Sequence, residues 1–355
     1  MTDLHILEAR GVTAALDLAL GQVARFEVQR GTRRVAPFAR VPWADAPDAS
    51  RFPKDMNPHL ERMSGDFFCA PFCADDMDGA PLHGWTANAP WEFVSSEQLE
   101  DGVEARFRLS RTVAGARVDK VWRLRDDHPF LYQRHEFFGG QRALPVAHHA
   151  MVDLRAGGLV GFSPKLWAET PATPLEPGRH HLAYPAKSEN LHGFPGLNGL
   201  VDLCRYPMGL RHEEFVMLID DPSQILGWVT ALRPASADVA LLIKPVARLP
   251  QTMLWISNGG RDLAPWCGQH IGVLGIEEAC AIGPEGWSAA INPNRLTEQG
   301  IATALDITAA PTVSVATAMG ALPSAAATLL SLRVEGDEAV LSDGTRAPFD
   351  AGWLA

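Results

Sequence analysis

Val103-Glu104-Ala105-Arg106-Phe107-Arg108-Leu109 alternates apolar and charged residues without a break. Side chains of an extended strand point alternately to its two faces. This stretch therefore reads as a half-buried strand, with Val103, Ala105, Phe107 and Leu109 inward and Glu104, Arg106 and Arg108 outward. Ala114-Gly115 follows as a two-residue turn, and Arg117–Leu124 reads as the returning strand, with Val118, Trp122 and Leu124 on one face. Outward from this hairpin the pattern repeats. Strand-like runs occupy Phe130–Phe138, Val146–Leu154, Glu214–Ile219, Ile225–Leu232, Val239–Ile243, Thr252–Ser257, Ile271–Glu277 and Ala304–Ile307. Near the C-terminus Leu330–Glu335 and Ala339–Leu341 flank Gly336-Asp337 as one more hairpin.

Thr13–Leu20 and Pro323–Leu330 are the two stretches compatible with a short helix. With 31 Gly and 27 Pro spread along the chain, many strands joined by turns is the economical reading. The expected class is all-β. Residues 1–355 form one domain, with the hairpin at about 328–350 as an appended edge. Long irregular connections are expected at 43–66, 155–200 and 258–270, where a β scaffold commonly builds its binding site.

The 355-residue chain is 46% hydrophobic, enough for a large core, and carries a net charge of −11. No Lys/Arg cluster makes the basic face that nucleic acid or an anionic membrane requires. Apolar runs such as Val239–Ile243 are too short to span a bilayer. The opening residues lack the basic and apolar blocks of a secretory signal. The five cysteines (Cys69, Cys73, Cys204, Cys267 and Cys280) are odd in number and irregular in spacing, which suits reduced thiols in a cytoplasmic protein.

Three segments concentrate chemistry: Pro81-Leu82-His83-Gly84-Trp85 running on to Asn88 and Trp91, Val146-Ala147-His148-His149-Ala150-Met151-Val152-Asp153-Leu154, and Ile271-Gly272-Val273-Leu274-Gly275-Ile276-Glu277-Glu278. Singly, each has an ordinary reading: a loop histidine on the surface, a strand histidine satisfied by a neighbour, a carboxylate emerging at a strand end. Adjacent strand residues face opposite ways, so only one of His148 and His149 can face a given cleft. A carboxylate tuned by an apolar floor would serve as a general base.

In order and spacing, the three segments together resemble the aldose 1-epimerase (galactose mutarotase) family. Leu82-His83-Gly84 with Trp91 is similar to its Leu-His-Gly…Trp motif. His149 to Leu154 is similar to a relaxed form of its second histidine segment, and Glu277 matches its late glutamate. Trp255-Ile256-Ser257-Asn258-Gly259-Gly260 with Pro265-Trp266 resembles the strand and loop before that glutamate. The resemblance spans about residues 10 to 310. It implies a β-supersandwich of large twisted antiparallel sheets and a small-molecule carbohydrate as partner, with a homodimer compatible. It further implies anomer interconversion with Glu277 as base, His149 as acid and His83 at the ring oxygen. Trp85 or Trp255 would stack on the sugar, and Asn88, Asn258 or Arg261 would bond its hydroxyls. Such chemistry requires no metal and no redox cofactor. Binding without catalysis, or another sugar-directed reaction on the same scaffold, are the alternatives. The chain departs from the family pattern in having no Lys or Arg from Met63 to Ala105, a stretch with nine acidic residues, which disfavours a phosphosugar there.

Overall fold

The computed structural model describes residues 3–44 and 52–355; residues 45–51, inside the expected 43–66 connection, lie outside the described residues. The hairpin that anchors the sequence reading is present. Strands Gly102–Val113 and Ala116–Arg125 pair antiparallel, with Val113 opposite Ala116. The two turn residues between them, Ala114 and Gly115, have φ of 47° and 79°, the left-handed values of a turn that matches strand twist. Val103, Ala105, Phe107 and Leu109 are buried, as the alternation dictates.

Two large sheets dominate, and all their ladders are antiparallel. The nine-stranded sheet runs in the order Arg205–Tyr206, Gly158–Phe162, Leu226–Arg233, Asp238–Pro245, Thr312–Pro323, Phe130–Phe138, Ala116–Arg125, Gly102–Val113, Trp91–Leu99. The seven-stranded sheet runs Lys187–Ser188, Lys165–Glu169, His212–Asp220, Gln251–Asn258, Val273–Cys280, Val146–Asp153, Phe68–Cys69. Facing residues of the two sheets, such as Phe107, Trp122, Leu242 and Met319 against Val152, Leu254, Leu274 and Ile276, share one core. A second core covers the opposite face of the seven-stranded sheet, where Met151, Phe215, Met253 and Trp255 meet Trp43, Phe67, Phe72 and Trp266 from the loops. The C-terminal strands Leu332–Glu335, Glu338–Leu341 and Arg346–Pro348 form a small sheet of their own. Leu332, Leu341, Phe349 and Trp353 pack there with Phe130, Tyr132 and Leu241 of the nine-stranded sheet.

Four expectations are corrected. Thr13–Leu20 is no helix: Val12–Asp17 is a strand of a four-stranded N-terminal sheet. Ala14, Ala15 and Leu16 are buried on both faces, so tertiary packing outweighs their helical propensity. Pro323–Leu330 is irregular beyond the strand end at Pro323. Ala304–Ile307 holds only an isolated bridge, Leu305 to Leu144. The 155–200 connection contains the strands Gly158–Phe162 and Lys165–Glu169 and the shorter Lys187–Ser188 and Phe194–Gly196. No helix among the described residues is long and apolar enough to cross a membrane.

Candidate functional site

Strands Val146–Asp153 and Val273–Cys280 lie side by side, and their register sets His149 directly opposite Glu277 and His148 directly opposite Glu278. The glutamate strand runs on through Cys280, so Glu277 sits within the strand rather than closing it. Strand alternation sends the odd-numbered pair to the loop-covered face and the even-numbered pair into the space between the sheets.

On the loop-covered face, His149 Nε2 lies 3.1 Å from Glu277 Oε1, and both side chains are almost fully buried. His149 Nδ1 and Glu277 Oε2 have no hydrogen-bond partner among the described residues. Phe67 stacks on the His149 ring at 4.6 Å, and Trp255 meets it edge-on at 5.7 Å. Gly275 leaves the room for this arrangement. A Cβ there would stand 3.1 Å from His149 Cε1 and 3.1 Å from Trp255 Cβ.

Burial without a compensating charge disfavours the ionised form of each group. It pushes the Glu277 carboxyl up to about 8 and the His149 imidazole down to about 3. Burial thus favours an uncharged pair, a protonated carboxyl beside a neutral imidazole. A Glu277 base and a His149 acid would start from the opposite protonation.

His83 reaches the same place from a loop. Its φ of 67° is unusual for a residue with a side chain, and such strain clusters at functional sites. The turn is fixed by Gly84: a Cβ there would lie 2.0 Å from the Ala70 carbonyl oxygen, so only glycine fits. The Cys73 backbone N–H donates to His83 Nδ1 at 3.4 Å, which leaves the ring proton of the neutral imidazole on Nε2. Burial holds this ring well below the usual histidine range. Its centroid is 5.6 Å from that of His149.

His83, His149 and Glu277 line one cavity of about 270 Å³, with Trp255 and Arg261 of the other expected residues. That volume sits near the lower bound of small-molecule sites. Arg261 is the one Lys or Arg on its wall among the described residues. It lies over Trp255 and Trp266, and its Nε is 3.2 Å from Glu176 Oε1 and 3.9 Å from Glu213 Oε2. Three expected ligands of the sugar do not line this cavity. Asn88 is spent on structure: its Oδ1 accepts from the His59 backbone N–H at 3.0 Å, and its Nδ2 donates to Leu82 and Gly84 carbonyls. Asn258 ties Gly209 to Gly272. Trp85 is half-buried against the main core, with the Arg111 guanidinium 5.0 Å above its ring.

Two contributors escaped the sequence reading. His59 lines the cavity, with Nδ1 held at 3.0 Å by Asn88 Oδ1 and burial lowering it to about 4. No local pattern marks it. Glu213 lies behind Trp255, accepting from its Nε1 at 3.1 Å and from Ser257 Oγ at 3.0 Å.

The opposite face carries the same residue types in a different setting. His148 Nδ1 is 3.0 Å from Asp66 Oδ2, which also accepts from Gln133. Glu278 Oε2 accepts from Thr252 Oγ1 at 2.8 Å and pairs with Lys244, which also bonds Asp220; Asp220 in turn pairs with Lys165. Asp66 Oδ1, His148 Nε2 and Glu278 Oε1 remain unpartnered, and all three residues border one void of about 10 Å³, the size that holds a single water. Elsewhere, His192, Asp202 and Cys204 bring three possible metal-ligand atoms within 4.8 Å of one another on a separate loop. None of the three lines the cavity.

No protein-family model matches the chain, and no curated protein matches it. Solved structures do. A candidate aldose 1-epimerase of Escherichia coli K12 superposes with a TM-score of 0.57 at 14% identity, covering 91% of this chain and 99% of that one. A galactose mutarotase related enzyme from Lactobacillus acidophilus gives 0.56 at 9% identity over 92% and 100%. A TPR-domain containing protein from Parabacteroides distasonis gives 0.56 at 14% identity, covering 94% of this chain and 49% of that one. At these identities the likeness establishes the fold: the chain has the all-β architecture of galactose mutarotase-related proteins.

Proposed function

We propose that the protein is an aldose 1-epimerase that interconverts the anomers of a free sugar. The observation that carries this reading is the contact between His149 and Glu277 at 3.1 Å in the floor of a cavity that His83 also lines. Ring opening needs one group to protonate the ring oxygen and another to take the anomeric hydroxyl proton. A neutral carboxyl beside a neutral imidazole supplies both without an initial charge separation. Glu277 gives its proton to the ring oxygen, His149 accepts the anomeric proton, and the His83 Nε2–H bonds the oxygen on which charge develops. Rotation about the bond to the carbonyl carbon presents its other face. Reclosure returns both protons, so the pair ends as it began.

On this reading residues 1–355 act as one unit, with the C-terminal hairpin as an appended edge. The five free cysteines accord with a cytoplasmic setting. Arg261 already faces Glu176 and Glu213, which suits hydroxyl recognition better than phosphate. Binding without turnover is the second reading, since one fold hosts many functions.

Magnetisation-exchange NMR over a panel of free sugars tests the proposal. Accelerated anomer exchange by the wild-type protein that vanishes in Glu277→Gln is the expected result. Binding to both proteins with no exchange by either would leave the second reading standing alone.

A further inference from the structure

The wall of the cavity has little left to offer a polar ligand. Among the described residues, eleven of the seventeen that line it are apolar, Phe215, Trp255 and Trp266 among them. Much of the remaining polar capacity is engaged by the protein itself. His59 Nδ1 is held by Asn88, His83 Nδ1 by the Cys73 backbone, and Arg261 Nε by Glu176. Trp255 Nε1 is turned away to Glu213, whose Oε1 is in turn taken by Ser257 and the Gly260 N–H. Among the described residues, the side-chain groups of this wall that no protein partner engages are the remaining nitrogens of His59 and His83, the buried His149 Nδ1 and Glu277 Oε2, and the terminal nitrogens of Arg261. A fully hydroxylated cyclic aldose brings a donor and an acceptor with each of its hydroxyls. After the anomeric hydroxyl and ring oxygen are served, Arg261, which lies over Trp255 and Trp266, is the one cation left to bond the remaining hydroxyls; those it does not reach stand unpaired against the aromatic wall, and an unpaired buried hydroxyl is costly.

From this imbalance we infer that the preferred substrate is a deoxy sugar, with a methyl or methylene group in place of a hydroxyl seated against the wall of Phe215, Trp255 and Trp266. The inference rests on the epimerase reading and narrows its substrate class. Apolar carbon there is buried favourably, and the aromatic faces suit C–H groups.

Matched pairs separate the narrower statement from the broader one. Anomer exchange is measured for L-fucose against L-galactose, L-rhamnose against L-mannose, and 2-deoxy-D-glucose against D-glucose. In at least one pair the deoxy member is expected to show a kcat/KM higher by about 10- to 100-fold, the range by which an apolar pocket rejects an added hydroxyl. Exchange that is equal or faster for the hydroxylated member of every pair overturns the deoxy preference and leaves the epimerase intact. Exchange with no member of any pair overturns both.

Discussion

The two faces of one strand pair make a controlled comparison. His148 and Glu278 face one way, His149 and Glu277 the other, and each histidine stands opposite its glutamate in the same ladder. Between the sheets, Glu278 is matched by Lys244 and Thr252, and His148 by Asp66. Under the loops, among the described residues, the His149 and Glu277 side chains have each other, aromatic walls and the neutral ring of His83, with no charged partner. Burial is nearly complete on both sides. What differs is compensation: a lysine holds the rear carboxylate, whereas the front one is driven toward its neutral acid. The same two residue types thus become a cross-brace on one face and, on the proposed reading, a proton-transfer pair on the other, one residue apart.

The largest expected departure between the faces is in rate. Glu277→Gln should lower catalysed anomer exchange by about 10²- to 10⁴-fold, the usual worth of a positioned acid or base. Glu278→Gln should leave the folded protein within a few-fold of wild type. Equal losses would erase the functional distinction. In stability the asymmetry should invert. Lys244→Met strands buried carboxylates and should cost about 3–5 kcal/mol in urea unfolding. A loss below about 1 kcal/mol would mean that the rear network is not a brace.

The pH dependence sharpens the assignment of the proton. If the neutral Glu277 carboxyl is the reacting acid, kcat/KM is full below about 8 and falls as pH rises through that value. A rise through the same value would instead make the carboxylate the base. Stability carries a linked signature. The folded pKa of Glu277 is raised, so its contribution is fully present below about 4.5 and is lost as pH climbs to about 8. Glu277→Gln should lack this loss and gain roughly 1–3 kcal/mol on wild type between those two limits. Identical pH–stability curves would remove the uncompensated burial from the account. The smallest effect expected is that of Gly275→Ala, which crowds His149 and Trp255. Misalignment should slow exchange about tenfold without a comparable change in unfolding; an unchanged rate would show that the ring has slack.

How much of this was legible depends on what fixed each element. The strand at Val103–Leu109 was readable because partial solvent exposure of one face enforces alternation, and the opposed faces of His148 and His149 follow from strand geometry alone. Val12–Asp17 was not, because Ala14, Ala15 and Leu16 are buried whichever way they point. A strand covered on both sides loses its period. In the site, His83, His149 and Glu277 were found through an ordered resemblance, and the cavity gathers them. Asn88 and Asn258 look like ligands in sequence, yet each ties loops together. His59 arrives through a contact 29 residues away in the chain, which no local pattern encodes. The protonation state was hidden too, since it comes from walls contributed by loops.

The pairing of His149 with Glu277 also has a timetable. The two residues stand 128 positions apart in the chain. At a synthesis rate of roughly 5–20 residues per second, the glutamate strand follows the histidine strand by on the order of 10 s. Through that interval the nascent Val146–Asp153 strand offers an open, apolar edge with nothing yet made to cover it, so whatever shields that edge in the cell governs the yield of active protein.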